Sequence, residues 1–507
     1  MGSENFSSLN MPAPQDPLFL AVDIGTSSIR TALFDLQGRR LARSLVQREH
    51  AVSHSPAGAA ELDPAILEAG FLHCLERTMP HARRRPVTAV GMSCFWHSLI
   101  GTDHRGKVLT PIYTWADARC RDDAARLREE LSERDYHRRT GCMLRASYWP
   151  AKLRWLAREK RGLFHRVARW QSPAEWLLGK YCEGGSDGCA HGMATGTGLY
   201  NPSTLRWEDD LLRLCGLRLD QVPVIMDASL RLRSEHARQF PQLVEAQWWP
   251  AIGDGAAGNL GSGATRAGRA AINVGTSAAF RVMREGRNAR SPFGLFSYRV
   301  DARRFVVGGA VSNAGNLRAW CRRELNLPES DRALDEALAA RPGPIRSLVT
   351  LPFWSAERAP TWCEELTGVI EGLTQNTTAL DLLQSTTEGV YHRLATIADL
   401  SLPDKDRPAA TQIIVAGGIL KSGHLLQRLA DVLGRPVFPS LEPEASLRGA
   451  AVYALEKIDA PGWTDDAPPE VGPAVRPRSR YAGLYRQERA RQHRLETLMT
   501  TASRQVD

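Results

Sequence analysis

The 507-residue sequence is as informative in what it lacks as in what it holds. Its nine cysteines are scattered and odd in number, and no two form a CxxC pair, so neither a zinc site nor a disulfide framework is indicated. That usage fits a reducing cytoplasm. No run of about 18 uninterrupted apolar residues occurs, which argues against a membrane span. The opening MGSENFSSLNMPAPQDP lacks a basic stretch leading into an apolar one, so no signal peptide is expected. A GxxxxGK[ST] phosphate loop is missing too, and any nucleotide must be bound by other means.

What is present points to a large globular protein. With 43% hydrophobic residues the chain can bury two or three domain cores. The net charge of +9 owes much to seven arginines between Arg476 and Arg494, set against Glu488 alone. In that stretch Tyr481, Leu484, Tyr485, Leu495 and Leu498 suggest a terminal helix with a solvated arginine face. No RNA- or DNA-binding signature accompanies it, so nucleic acid is not expected as a partner. Gly253-x-Gly255-x-x-Gly258 satisfies a dinucleotide fingerprint. It is a decoy: Pro250 interrupts the preceding strand, Asp254 would face a pyrophosphate, and no ribose-binding acid follows.

The chain states one motif twice. Asp23-Ile24-Gly25-Thr26-Ser27-Ser28 and Asn273-Val274-Gly275-Thr276-Ser277-Ala278 each close one apolar strand-like run and open another. A strand-turn-strand with a glycine and two hydroxyls at its tip makes a nest for phosphate oxygens, and two could hold one triphosphate between them. Ordinary turn chemistry explains either copy alone, but less easily both at domain-scale spacing. Organisation follows the repeat. Residues 1–17 are expected to be disordered; 18–265 and 268–459 each alternate strands and helices; 460–507 form the arginine-rich tail. Strands are expected at LFLAVDIG, IRTALFDLQGRRLARSLV, TAVGMSCF, AAINVGTS, AAFRVMRE, RRFVVGGAV and QIIVAGG. Residues from about 110 to 235, rich in Trp and Arg, are expected to be an inserted helical subdomain.

Over residues 18–460 these motifs, in order, resemble the FGGY-type carbohydrate kinases of the actin/hexokinase/chaperone ATPase superfamily. The first phosphate motif matches LAVDIGTSSIRTALFD, the second INVGTSAAFRV, the adenosine motif QIIVAGGILKSGHLLQRLADVLGRPV, and a late glycine helix LRGAAVYAL. FSYRVDARRFVVGGAVSNAGNLRAW and LPFWSAERAPTW also resemble family segments. The resemblance implies two α/β domains of ribonuclease H-like fold with a cleft between them, with ATP and Mg²⁺ as cofactors and a small sugar or sugar acid as substrate. A homodimer is left open. It also implies nucleotide contacts at Gly25, Thr26, Ser27, Gly275, Thr276, Ser277, Gly315, Gly417 and Gly418, with Asp23 near the magnesium and its waters. The general base it implies is Asp254, which would take the proton from a sugar hydroxyl as phosphorus is attacked, with Gly255 allowing close approach. The bland alternatives are an Asx-turn for Asp23 and a helix cap for Asp254.

For the substrate, the resemblance places Trp96 and His97 of GMSCFWHSLIGTD, and Trp115 and Asp117 of YTWADAR, at sugar-contact positions. Aromatic faces pack on C–H surfaces, and His and Asp bond hydroxyls. Trp96 and His97 could equally be core residues. HSLIG, TWADAR, IGDGA and GTSAAFRV resemble gluconate kinases more than xylulose or glycerol kinases, although Trp96 departs from the smaller or thioether residue usual there. Arg281 and the basic balance are compatible with an acidic substrate. Xylulose, ribulose and other polyols stay open. So does a different class, a sugar sensor or ATPase that binds ATP without phosphorylating sugar.

Overall fold

The computed structural model describes residues 17–506 apart from 84, 186–187, 356, 403–410, 461–462 and 464–467. The disorder expected for 1–17 falls, but for Pro17, outside the described residues. Two sheets are built on one plan. In the first, β1 (Leu18–Ile24) and β2 (Ser28–Phe34) form an antiparallel hairpin, and β3 (Val46–Glu49) extends it. On the other side of β1, β4 (Val87–Cys94) runs parallel, followed by β5 (Gln247–Trp248) and β6 (Ile252–Gly253), both parallel to β4. Pro250 separates β5 from β6, since it cannot donate to a ladder.

The second sheet repeats that order. The strands β7 (Arg269–Val274) and β8 (Ala278–Glu285) form the hairpin; β9 (Phe296–Arg299) and β10 (Arg304–Val311) extend it, with β10 against β8. On the far side β11 (Gln412–Ala416) and β12 (Val437–Pro439) lie parallel to β7. Central strands are near-continuous apolar runs because both faces are covered; every residue of β1 is buried.

Helices fill the crossovers. They include α1 (Pro64–Thr78), the insertion helices α2 (Arg121–Glu130), α3 (Glu133–Thr140), α4 (Trp149–Glu159), α5 (Arg161–Arg166) and α6 (Pro173–Tyr181), then α7 (Asp254–Gly261) and α8 (Gly315–Glu324). The remainder used below are α9 (Ala379–Ser401), α10 (Gly423–Leu433), α11 (Ala445–Lys457) and α12 (Ala482–Val506). No described helix is long and apolar enough to cross a membrane. The halves are joined by bonds such as that from the Ser297 amide to the Gly141 carbonyl, and by a helix: α11 packs on α7 and on the first sheet. The crossing is so close that a Cβ on Gly449 would fall 1.8 Å from the Ala257 carbonyl. Arg448 locks it by donating to the Gly261 carbonyl at 2.9 Å and the Gly38 carbonyl at 3.0 Å.

Three expectations need correction. The run IRTALFDLQGRRLARSLV is not one strand, because the Asp35 carboxylate accepts from the Gln37 and Arg39 amides, each at 2.9 Å, and turns the chain after Phe34. In the insertion, the longer helices lie within 121–181, and the described residues of 182–235 form short strands and helices of six residues or fewer. The terminal arginine segment is the expected helix with its apolar face docked, since Tyr485 is buried and Leu495 packs against the Leu351, Phe353 and Leu366 cluster, but Leu498 is not part of that face. Leu498 is 67% exposed, while the buried face of α12 carries Tyr485, Glu488, Gln492 and Glu496. Gln492 donates to the Thr350 and Gly389 carbonyls, Glu496 takes Arg393 at 2.5 Å, and Arg478 pairs with Asp431. The helix thus docks by polar complementarity as well as by apolar contact, and apolar periodicity registers only the second.

Candidate active site

Three parallel strands of the first sheet end on the same side, where α/β folds place ligands. Asp23 lies at the end of β1, Ser93 at the end of β4, and Asp254 follows β6. The Asp23 carboxylate is 1% exposed; one oxygen accepts from the Ser93 hydroxyl at 2.5 Å and the other from Arg30, its cross-strand partner on β2. Arg30 continues to Glu444 at 2.6 Å, just before α11.

Asp254 is the first residue of α7 behind a Gly253 cap, where helix dipoles favour a carboxylate. Its Oδ1 accepts from the Gly255 amide at 2.7 Å. Burial nevertheless pushes its pKa up to about 6; Arg281 pulls it down, and Asp23 pushes it up. A carboxyl with a pKa just below neutrality is mostly ionised there and yet basic enough to take a proton. A Cβ at Gly255 would meet the Arg281 guanidinium and the Trp96 ring at 2.7 Å, so only glycine leaves room for both.

Trp96 is 5% exposed and donates its indole N–H to the Gly192 carbonyl at 2.7 Å. It floors the site beneath Gly253 and Gly255, leaving no polar edge for a ligand. His97 stands at φ +68, with Nδ1 2.5 Å from the Gly196 carbonyl. Because that oxygen can only accept, Nδ1 carries the proton and Nε2 is left as an acceptor. Burial depresses the ring's pKa to about 3, so it stays neutral. Trp115 donates to the Thr26 hydroxyl at 3.2 Å and so ties the insertion to the first hairpin. Asp117 does not reach the site. It is buried, accepting from the Ala60 amide at 3.1 Å and from Arg119 at 2.6 Å.

The two hairpin tips differ in support. In the first, the Gly25 amide donates to the Ser28 carbonyl at 2.9 Å, and His50 Nε2 lies 3.0 Å from the Thr26 carbonyl. In the second, the Gly275 amide donates to the Ser277 carbonyl, and the Gly315 and Asn316 amides of α8 bind the Gly275 and Thr276 carbonyls at 2.9 and 3.1 Å. This second tip opens into a cavity of about 830 Å³ lined by Gly275, Thr276, Gly315, Arg318, Tyr391 and Gly418. Its size and largely apolar lining suit a nucleotide. Arg318 has a buried Nη1 without a hydrogen-bond partner among the described residues. Gly417 sits behind that wall at φ +94, where a Cβ would meet Asn273 and Val274 oxygens at 2.5 Å.

Sequence reasoning missed Arg30 and Arg358. Arg30 was legible as the cross-strand partner of Asp23 once the hairpin was drawn. Arg358 sits in LPFWSAERAPTW, a segment noted without a role; its guanidinium lies 5.1 Å over the Trp115 ring and bonds Ser312 Oγ at 3.1 Å and the Val311 carbonyl at 3.2 Å.

Comparison with known proteins agrees with this geometry. The N-terminal domain of the FGGY family of carbohydrate kinases matches residues 18–260, and its C-terminal domain matches residues 270–456. A gluconokinase of Bacillus subtilis (strain 168) is 27% identical over 463 residues, 87% of this chain and 88% of that one. A xylulose kinase of Klebsiella pneumoniae is 26% identical over 497 residues, 93% and 97% of the two chains. The crystal structure of gluconate kinase from Lactobacillus acidophilus superposes with a TM-score of 0.88 at 22% identity, over 97% of this chain and all of that one, which shows the shared fold. With two sheets of one topology, a nucleotide-sized cavity in the second half and family matches across both, the chain belongs to the FGGY family of carbohydrate kinases, ATP-dependent phosphotransferases that act on sugars.

Proposed function

We propose that this kinase transfers the γ-phosphoryl group of ATP to a terminal hydroxyl of a small sugar acid, D-gluconate giving 6-phosphogluconate. The observation that carries the reading is Asp254, poised near pKa 6 beside Arg281 at the carboxyl ends of the parallel strands. Residues 18–265 would bind the sugar and 268–459 the nucleotide. Asp254 takes the hydroxyl proton, the freed oxygen pair attacks the γ-phosphorus in line, and the bond to the bridging oxygen breaks to release ADP. His97 Nε2 accepts from a second hydroxyl and holds the chain. Gly25, Thr26 and Ser27 face the transferred group, while Gly275, Thr276, Ser277, Gly315, Gly417 and Gly418 hold or shape the nucleotide side. Closure of the halves would exclude water, which could otherwise take the phosphoryl group.

The donors present fit a divalent cation of the Mg²⁺ kind, which keeps waters and takes few protein ligands. Among the described residues no cluster of three or more His, Cys, Asp or Glu forms a metal cage, and both Asp23 oxygens are engaged, so Asp23 would act through bound water or on release by Arg30. When bound, the ion would neutralise charge on the phosphate oxygens.

Similarity to chains named gluconokinase and the basic character of Arg281 support gluconate. A xylulose kinase or related pentulose kinase is the second reading, favoured by the longer shared span with the Klebsiella chain. The test is ADP release with MgATP on D-gluconate, D-xylulose, D-ribulose, glycerol and erythritol. Preferential turnover of gluconate is expected. A preference for xylulose would replace the first reading with the second, and ATP binding without turnover of any sugar would favour a sensor.

A further inference from the structure

The transfer site holds more positive charge than its own carboxylate explains. The Arg281 guanidinium lies over Gly255, and its buried Nε has no hydrogen-bond partner among the described residues. Arg358 lies near enough to feel the charge of Arg281; it is anchored by Val311 and Ser312 and stacked on Trp115, which bonds Thr26 at the first hairpin tip. An aromatic wall adjoins both, since Tyr298 acts on each of the two charges. Tyr148 and Tyr298 share a hydroxyl contact of 2.7 Å, the Tyr298 ring centroid is 4.8 Å from Trp96, and that of Tyr148 is 4.7 Å from His97. Burial weakens the hold of each guanidinium on its proton, and Arg281 weakens that of Arg358 further, against the opposing pull of Tyr148, Tyr298 and Glu357; a compact interior avoids such like-charge proximity unless an anion joins it. Asp254 lies against Arg281 alone, and as the proposed base it must give up negative charge during the reaction.

We propose that Arg281 and Arg358 form a two-arginine corner that holds the carboxylate of an open-chain sugar acid, making the enzyme selective for aldonates over uncharged sugars. This inference rests on the kinase reading above and deepens it. A guanidinium presents paired N–H donors that match the two oxygens of a carboxylate, which an ammonium does not. A site whose buried donors require an anion rejects the uncharged analogue strongly, because those donors would be left unpaired. The aromatic wall would pack on the C–H face of the carbon chain, and His97 would accept from an intermediate hydroxyl. The other anion near the site is the γ-phosphate of ATP, so the test must separate the two.

Binding and turnover of C5 and C6 aldonates, D-gluconate among them, are compared with the uncharged D-glucitol and D-xylulose on the full chain and on Arg281→Met, Arg358→Met and Arg358→Lys. Wild type is expected to favour aldonates. Each Met variant should raise the aldonate KM or Kd roughly 100-fold, with Arg358→Lys intermediate, while ATP affinity, which also reports a folded second half, is retained. Preference for another aldonate would end the gluconate reading and leave the corner standing. Turnover of uncharged sugars alone would overturn the corner while the kinase reading survives. Loss of ATP affinity in Arg358→Met would assign the pair to the phosphate chain, and equal losses on charged and uncharged sugars would make it structural; either overturns the proposal.

Discussion

The two Gly-Thr-Ser hairpins open with the same pattern and end up in different settings. In the first, Ile24 pairs with Ile29 and four residues form the tip; in the second, Val274 pairs with Ala278 and three do. The first places a buried ion pair at its base, Asp23 with Arg30, where the second has exposed Asn273 opposite Ala279. The insertion covers the first through Trp115, whereas the second opens on the nucleotide-sized cavity. Charge that can steady a migrating phosphoryl group is concentrated in one copy, and the other is left neutral, which suits binding an anion without competing with it. The two sheets share a frame, and the residues two before each glycine differ in charge.

Exchanging those residues should break the contrast. Asp23→Asn is expected to lower kcat about 100-fold with little change in ATP affinity, a loss typical of removing one preorganised charge, measured by steady-state kinetics and nucleotide titration. Asn273→Asp, the reverse change, should instead raise the KM for ATP about tenfold through repulsion of phosphate, with kcat less affected. Two glycines sharpen the same line. Gly417→Ala puts a Cβ against backbone and Asn273 at positive φ, and a loss of about 1–3 kcal/mol in unfolding free energy is expected. Gly255→Ala meets side-chain atoms that can shift, so turnover should fall more than thermal stability.

Acid should disable the first half only. Asp254 must be ionised to act, so kcat/KM should fall below a midpoint near pH 6, with ATP binding unchanged across it. Its folded pKa is raised above the unfolded value, so the buried charge costs stability above about pH 6, and that cost fades as pH drops through it. His97, held near pKa 3, adds no step between pH 5 and 8. The smallest effect is expected far from the cleft. Glu496→Gln should cost about 1–2 kcal/mol by weakening its bond to buried Arg393, while Leu498→Gln, on the solvated side of the same helix, should cost nearly nothing.

Much of the fold was legible because the strands of both sheets are apolar runs flanking repeated turns, a local signal. Asp254 and Gly255 were reached through the family resemblance, because a carboxylate between glycines at a strand-to-helix turn reads from local sequence equally as a helix cap. Asp117 was misplaced for a physical reason: sequence does not say which way a side chain faces, and Arg119, two residues on, turns it inward. Trp96 lies under the site as floor, since its indole N–H is taken by a carbonyl nearly a hundred residues away. Arg358 escaped for a similar reason. Its meaning comes from Trp115 and Arg281, neighbours only once the halves are folded together. Docking of the last helix through Gln492 and Glu496 is invisible to a hydrophobic pattern.

On the proposed reading, chemistry resides in the first half and nucleotide binding in the second. Single-turnover phosphoryl transfer by Asp254→Asn, measured beside its ATP affinity, tests this most directly. The expected result is a rate lowered at least 1,000-fold, in the range for loss of general-base catalysis, with ATP bound as in wild type. Near-normal transfer would contradict the claim, and so would loss of ATP binding in a folded variant.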